Sequence, residues 1–146
     1  MHKVSKQFVF TAGRSAVYRC LTDPVEFANF TGMSAEMDAR PGAHFSLFGG
    51  YIKGYFLELH PEHRLVMAWR DCYSWEEGIY SIVNIQLDEV EDGTRMSWTQ
   101  HGVPTNEVEH LGVGLGRKYF NAIQQYLASG EVQGATPDAC KIPQAE

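Results

Sequence analysis

Asn106-Glu-Val-Glu-His-Leu-Gly-Val-Gly-Leu-Gly-Arg-Lys-Tyr-Phe-Asn-Ala-Ile-Gln-Gln-Tyr-Leu127 is the one stretch long and periodic enough to form a major helix. Its apolar side chains fall at Val108, Leu111, Leu115, Tyr119, Ile123 and Tyr126/Leu127, the three-and-four spacing that lines one helix face. Such a face has to be buried. Asn106 with Glu109 three residues on reads as a capping box, and Pro104 marks the stop of the preceding strand. Gly112, Gly114 and Gly116 oppose the helix, each by roughly 1 kcal/mol against Ala and about 3 kcal/mol together. Burying half a dozen large apolar groups at about 1.5 to 3 kcal/mol each outweighs that several-fold. The helix therefore needs a sheet to pack on.

Upstream, Lys3 to Thr11 alternates as a first strand, with Val4, Phe8 and Phe10 on one side and Gly13 ending it. Two short helices are expected next. Arg14 to Leu21 stops at Thr22-Asp23-Pro24, where Pro24 pushes Asp23 out of the helical region, and Val25 to Phe30 is entered through that proline. From Ala35 to Val103 about six strands are separated by turn chemistry at Arg40-Pro41-Gly42, Phe48-Gly49-Gly50-Tyr51, His60-Pro61-Glu62-His63, Asp71 to Gly78 and Glu91-Asp92-Gly93. The clearest alternation sets Ile79, Val83, Ile85 and Leu87 against Tyr80, Asn84, Gln86 and Asp88. Leu65, Met67 and Trp69 alternate likewise, as do Met96 and Trp98, which describes an antiparallel sheet with one face covered and one wet. The resulting order belongs to the α+β class: a curved antiparallel sheet of about seven strands that can curl around a single long C-terminal helix, with room for a cavity between them. After Ala128, a run containing Ser129-Gly130, Gly134, Pro137 and Pro143 has no periodic apolar residues. Residues 1–128 thus read as one domain and 129–146 as a flexible tail.

The chain of 146 residues, 44% hydrophobic, is sufficient for one domain with a real core. A formal charge of -6, with Arg117-Lys118 as the longest basic cluster, disfavours nucleic acid. Cys20, Cys72 and Cys140 are odd in number, far apart and without a CxxC, and Met1 to Lys6 is polar and charged. These features fit the reducing cytoplasm, and no apolar run approaches the roughly 18 residues needed to span a bilayer.

No catalytic constellation emerges. Gly112 to Lys118 meets neither the dinucleotide fingerprint nor the P-loop spacing and lies inside a helical pattern, so its glycines are expected to pack the helix closely on the sheet. His60 and His63 flank Pro61 with no Cys or further His nearby and read as a turn, not a zinc site. Glu76-Glu77 are adjacent and point apart, as in a solvated loop. No metal and no cofactor is implied. Aromatic residues make up 12% of the chain. Phe45, Phe56, Trp69, Tyr80, Trp98 and Tyr119, with Leu115, occupy elements that would wall a cavity between sheet and helix, either as core or as a ligand pocket.

Several motifs then occur in order: Leu21-Thr22-Asp23-Pro24, Phe45-Ser46-Leu47-Phe48-Gly49-Gly50, Gly54, Phe56-Leu57-Glu58-Leu59, Trp69-Arg70, Ser74-Trp75-Glu76-Glu77-Gly78, Thr99-Gln100-His101-Gly102-Val103-Pro104, and Arg117-Lys118-Tyr119-Phe120 with Ile123. Together, from about Gln7 to Leu127, they resemble the C-terminal domain of the activator of heat-shock protein 90 ATPase, a branch of the START-like (SRPBCC) superfamily. The resemblance implies a helix-grip, Bet v-type fold. It also implies a cytoplasmic co-chaperone of the stress response that is not itself an enzyme and favours the closed, hydrolysing arrangement of the chaperone. In that family an additional N-terminal domain supplies the main docking, so weak stimulation is expected without it. The terminal helix departs from the family pattern of Gly-Trp followed by two tyrosines, because Leu115 follows Gly114 and Lys118 stands at the first tyrosine position. Ala43 replaces a glycine, and Glu76 stands where a proline is common. Two further readings follow from the superfamily: a small hydrophobic ligand or lipid carrier using the cavity, and a cyclase-type enzyme, for which His44, Tyr80 and Tyr119 are the polar candidates.

Overall fold

The computed structural model describes residues 1–129. Seven strands form one sheet: β1 (His2–Phe10), β2 (Glu36–Met37), β3 (His44–Leu47), β4 (Ile52–His60), β5 (Arg64–Asp71), β6 (Ser81–Val90) and β7 (Gly93–Val103). Their order is β1-β7-β6-β5-β4-β3-β2, every neighbouring pair antiparallel. Strands β2 to β7 are the expected six-strand meander, and β1 joins it on the free side of β7.

Between β1 and β2 lie α1 (Arg14–Thr22) and α2 (Pro24–Thr31). Asp23, held extended at φ -109 and ψ 122, caps α2 by accepting from the Val25 and Glu26 amides at 2.8 and 3.3 Å. Gly32, left-handed at φ 77, ends the helix.

The terminal helix comprises α3 (Val108–Gly114), a π-helical turn (Leu115–Phe120) and α4 (Asn121–Ser129). The capping box does not form. Pro104 feeds a 3-10 turn, Thr105–Glu107, closed by Glu107 N–H on the Pro104 carbonyl at 2.9 Å, and α3 begins only at Val108 with no side-chain cap. The helix also runs to Ser129, one residue past the expected domain limit; the rest of the expected tail, 130–146, lies outside the described residues.

Leu111, Leu115, Tyr119, Phe120 and Ile123 are buried against the inward rows of the sheet, such as Phe56, Met67, Val83 and Val4 across β4, β5, β6 and β1. A bulge in β4, where the register shifts between Phe56 and Glu58, leaves Leu57 exposed and adds local twist. At the far end, Tyr126 Oη donates to Glu26 at 2.5 Å and accepts from Asn29 Nδ2 at 3.1 Å, fastening α4 to α2.

The helix glycines do not bring helix and sheet into close contact. A Cβ on Gly114 or Gly116 would meet nothing within 4 Å, and one on Gly112 only the flexible end of Lys6. The close approach is at Gly54 on β4, where a Cβ would lie 1.8 Å from the Ala68 carbonyl and 2.7 Å from the Phe45 ring. The two kinds of glycine should respond oppositely to substitution. In urea titrations Gly114→Ala should gain about 0.5 to 1 kcal/mol of stability through helix propensity. Gly54→Ala should lose about 3 kcal/mol or more through backbone displacement.

Candidate cavity beneath the terminal helix

The π turn places Tyr119 over the sheet, and β5 presents Trp69 beneath it. Trp69 stands opposite Gly54 on β4 and Ser81 on β6, in the inward row. A cavity of about 180 Å³ opens between helix and sheet, walled by Trp69, Leu111, Gly114, Leu115 and Tyr119 together with Met33, Phe48, Tyr51, Ile52 and Asp71, and rimmed by His110, Val113, Arg117 and Lys118. Its wall is mainly apolar with a few polar groups, the composition of a small-molecule site.

Three features distinguish this wall. Phe48 adopts left-handed backbone at φ 53, ahead of Gly49 at φ 66 and Gly50 at φ 100. A bulky residue in that region carries strain of order 1–3 kcal/mol. The Lys118 ammonium lies 5.7 and 5.6 Å from the Phe48 and Tyr51 ring centres. Asp71, only 6% exposed, accepts the Tyr73 and Ser74 amides on Oδ1, both at 2.9 Å. The loop after it is pinned by Arg70, whose guanidinium donates to the carbonyls of Trp75, Glu76 and Ile79.

Buried polar groups behind the cavity are mostly paired. Trp98 Nε1 donates to Gln100 Oε1 at 2.9 Å, Gln100 Nε2 to Ser81 Oγ at 2.8 Å, and Ser81 Oγ to the Trp69 carbonyl at 2.9 Å. Trp69 Nε1 and Tyr119 Oη are buried and make no hydrogen bond of acceptable geometry. Burial pushes the Tyr119 hydroxyl pKa upward; the neighbouring Trp69 indole N–H acts in the opposite sense and falls short of cancelling it.

Of the residues expected to line a cavity, Trp69, Leu115 and Tyr119 do so. Phe45 and Phe56 pack at a tilt with ring centres 5.1 Å apart, in core away from it, and Trp98 packs behind Tyr119 at 5.1 Å. Tyr80 requires a correction. It is 41% exposed, on the outer face of the sheet under Arg70 and beside Tyr55. His44 is exposed and also beside Tyr55, so His44, Tyr80 and Tyr119 share no site. Of the residues that sequence reading missed, Met33, Phe48 and Tyr51 come from loops and turns, Ile52 and Asp71 from strand ends and Lys118 from the terminal helix. The Phe48-Gly49-Gly50-Tyr51 turn was their one visible signal. His60 lies 3.3 Å from Glu58 and His63 3.0 Å from Arg14, and among the described residues no group of three or more His, Cys, Asp or Glu could hold a metal.

The family model described as activator of Hsp90 ATPase homolog 1-like protein matches residues 11–128. The chain belongs to this family. The human activator of 90 kDa heat shock protein ATPase homolog 1 is 29% identical over 128 residues, and an uncharacterised protein of Schizosaccharomyces pombe is 29% identical over 129. Each match covers 88% of this chain and 38% of the relative, so the chain spans well under half the length of these proteins. A crystal structure of an HSP90 activator from Plasmodium falciparum shares the fold with a TM-score of 0.76 at 24% identity, covering 90% of this chain and 98% of that one. DynU16, from the dynemicin biosynthetic locus, shares it with a TM-score of 0.76 at 20% identity, over 89% of this chain and 48% of that one. The helix-grip architecture is therefore that of the family, and no helix among the described residues is long and apolar enough to cross a membrane.

Two outcomes are expected for the core around the cavity. Tyr119→Phe removes a buried hydroxyl that makes no well-formed hydrogen bond and should change stability in urea by no more than about 1 kcal/mol. Burial, reinforced by Glu26 and Asp23 against a smaller opposing effect of Arg19, pushes the Cys20 thiol from its ordinary 9.0 up to about 12. The unfolded chain then releases this proton first, so stability is complete below pH 9 and falls as pH rises toward 12, by about 1.4 kcal/mol per unit. Between pH 9 and 10 Cys20→Ala should flatten that slope.

Proposed function

We propose that this chain is a co-chaperone-like binding protein that associates with an Hsp90-type chaperone and modulates its ATPase, acting in the cytosol and without being an enzyme itself. The observation that carries this reading is the family match across residues 11–128, joined by curated relatives whose names state Hsp90 ATPase activation. The physical requirement is modest. A partner that prefers the hydrolysing arrangement of the chaperone by about 1.4 kcal/mol raises turnover tenfold. Since the matched segment is 38% of the human relative's length, the interaction of this chain alone is expected to be weak.

Steady-state ATP turnover by the purified chaperone, with and without this chain and against an inhibitor blank, tests the reading. A saturable change in the inhibitor-sensitive rate is expected. Absence of both binding and any rate change at high micromolar concentrations of the chain refutes it.

A further inference from the structure

We infer that the outer face of the sheet, centred on β4, β5 and β6, is a docking surface for an acidic segment of a partner protein that carries apolar side chains between its carboxylates. This goes beyond chaperone binding and does not depend on which protein fills the face.

Residues in lateral register across an antiparallel sheet share a face. One such row runs His44, Tyr55, Ala68, Ile82, His101, Lys3 across β3, β4, β5, β6, β7 and β1. The row one step along, Phe56, Met67, Val83 and Gln100, is buried, so this one points away from the core. The helices give their buried residues to the inward core, and the outward row stays open to solvent. A wet sheet face normally carries polar side chains. This one carries Tyr55, Leu57, Tyr80 and Ile82, each 41 or 42% exposed. Among the described residues nine large apolar side chains are exposed, and four of them gather here. Single exposed apolar residues need no explanation, whereas a contiguous group marks an interaction surface.

The aromatic part is held in place. The Tyr55 and Tyr80 ring centres are 6.3 Å apart, and the Arg70 guanidinium carbon lies 5.9 Å from that of Tyr80 while its nitrogens are tied to the carbonyls of Trp75, Glu76 and Ile79. Groups fixed in this way lose little freedom on binding, and Tyr and Arg are the side chains that dominate interface energies.

Charge selects the occupant. Lys53 and Arg70 stand directly opposite each other on β4 and β5, a like-charge pair that costs the sheet stability. Among the described residues neither they nor Lys3 form an ion pair with a carboxylate. Glu58, on the β4 side of the face, is already held by Arg64 and His60, both at 3.3 Å, and Glu36 lies two strands from Lys53 at the sheet edge. A cationic face with an apolar centre, on a chain of formal charge -6, fits a partner of opposite sign that brings apolar anchors. A second copy placed face to face would set cations against cations. Nucleic acid needs a denser array of phosphate contacts than these three cations provide.

Short synthetic peptides separate the possibilities: glutamate alternating with leucine, glutamate alternating with serine, and lysine alternating with leucine, with a short oligothymidylate as the nucleic-acid probe. Each is titrated into the ¹⁵N-labelled protein. The glutamate–leucine peptide should move the backbone amides of Tyr55, Ala68 and Ile82 saturably and leave those of Leu115 and Ile123 in place. It should bind at least about tenfold more tightly than the glutamate–serine peptide, and the lysine–leucine peptide should not bind this face. Ile82→Glu and Lys53→Glu, both at exposed positions, should each weaken it by about tenfold in proteins that remain folded by circular dichroism. Val113→Glu, at an exposed apolar position on the terminal helix, should leave the affinity unchanged. Equal affinities for the glutamate–leucine and lysine–leucine peptides, tighter binding of the oligothymidylate, or no saturable binding of the glutamate–leucine peptide would overturn the inference. So would shifts confined to the terminal helix, or a concentration-dependent dimer that Ile82→Glu abolishes. Because the probes are peptides, failure here leaves the chaperone reading untouched, and failure of the ATPase test leaves this surface untouched.

Discussion

The grip of the sheet on the apolar stripe of the terminal helix is the constraint on which the rest of the structure depends. Leu111, Leu115, Tyr119, Phe120 and Ile123 carry too many glycines around them to hold a helix by propensity, so burial must supply the difference. Burial on this scale requires a concave sheet. The β4 bulge and the inherent twist of the antiparallel strands supply the curvature, and α2 closes one end of the trough through Phe27 and Phe30 against Tyr119.

Polar groups inside this grip divide into two kinds. Gln100 occupies an inward position on β7 that alternation would give to an apolar residue, and its amide accepts from Trp98 and donates to Ser81. It closes a network and fixes the relation of β6 to β7. Trp69 Nε1 and Tyr119 Oη, by contrast, are buried beside each other without a well-formed hydrogen bond. The cavity beneath the π turn lies beside these two side chains. Leu115 and Lys118, where the terminal helix departs from the family's Gly-Trp and tyrosine pattern, both line it.

Hydrophobic period made most of this architecture legible in the residues. The two short helices separated at Asp23-Pro24, the six-strand meander and the buried helix face all follow from spacing and turn chemistry, because each element has one buried face and one wet one. The failures have equally local causes. The capping box was lost because Pro104 turns the chain into a 3-10 turn before any cap can form. Tyr80 enters the expected cavity wall for its ring, against an alternation that sets it opposite Ile79, Val83 and Ile85; the inward parity that begins at Ser81, opposite Trp69, sends it outward. The glycines of the helix were read as contact points, yet an absent side chain marks open space as well as close approach, and composition cannot separate the two. Cavity residues such as Tyr51 and Asp71 lie at strand ends and turns, where alternation gives no direction.

The topology also carries a consequence for how the molecule is made. Strand β1 pairs only with β7, and Gln7 meets Ser97, ninety residues farther along. The sheet is therefore completed by its most distant contact, and the entropy of closing that long loop is paid before the pairing returns anything. While the chain emerges from the ribosome, Phe8 and Phe10 wait without a neighbour until Met96 and Thr94 arrive. Strand β1 is thus synthesised well before the strand it pairs with and stays open to wrong pairing during that interval.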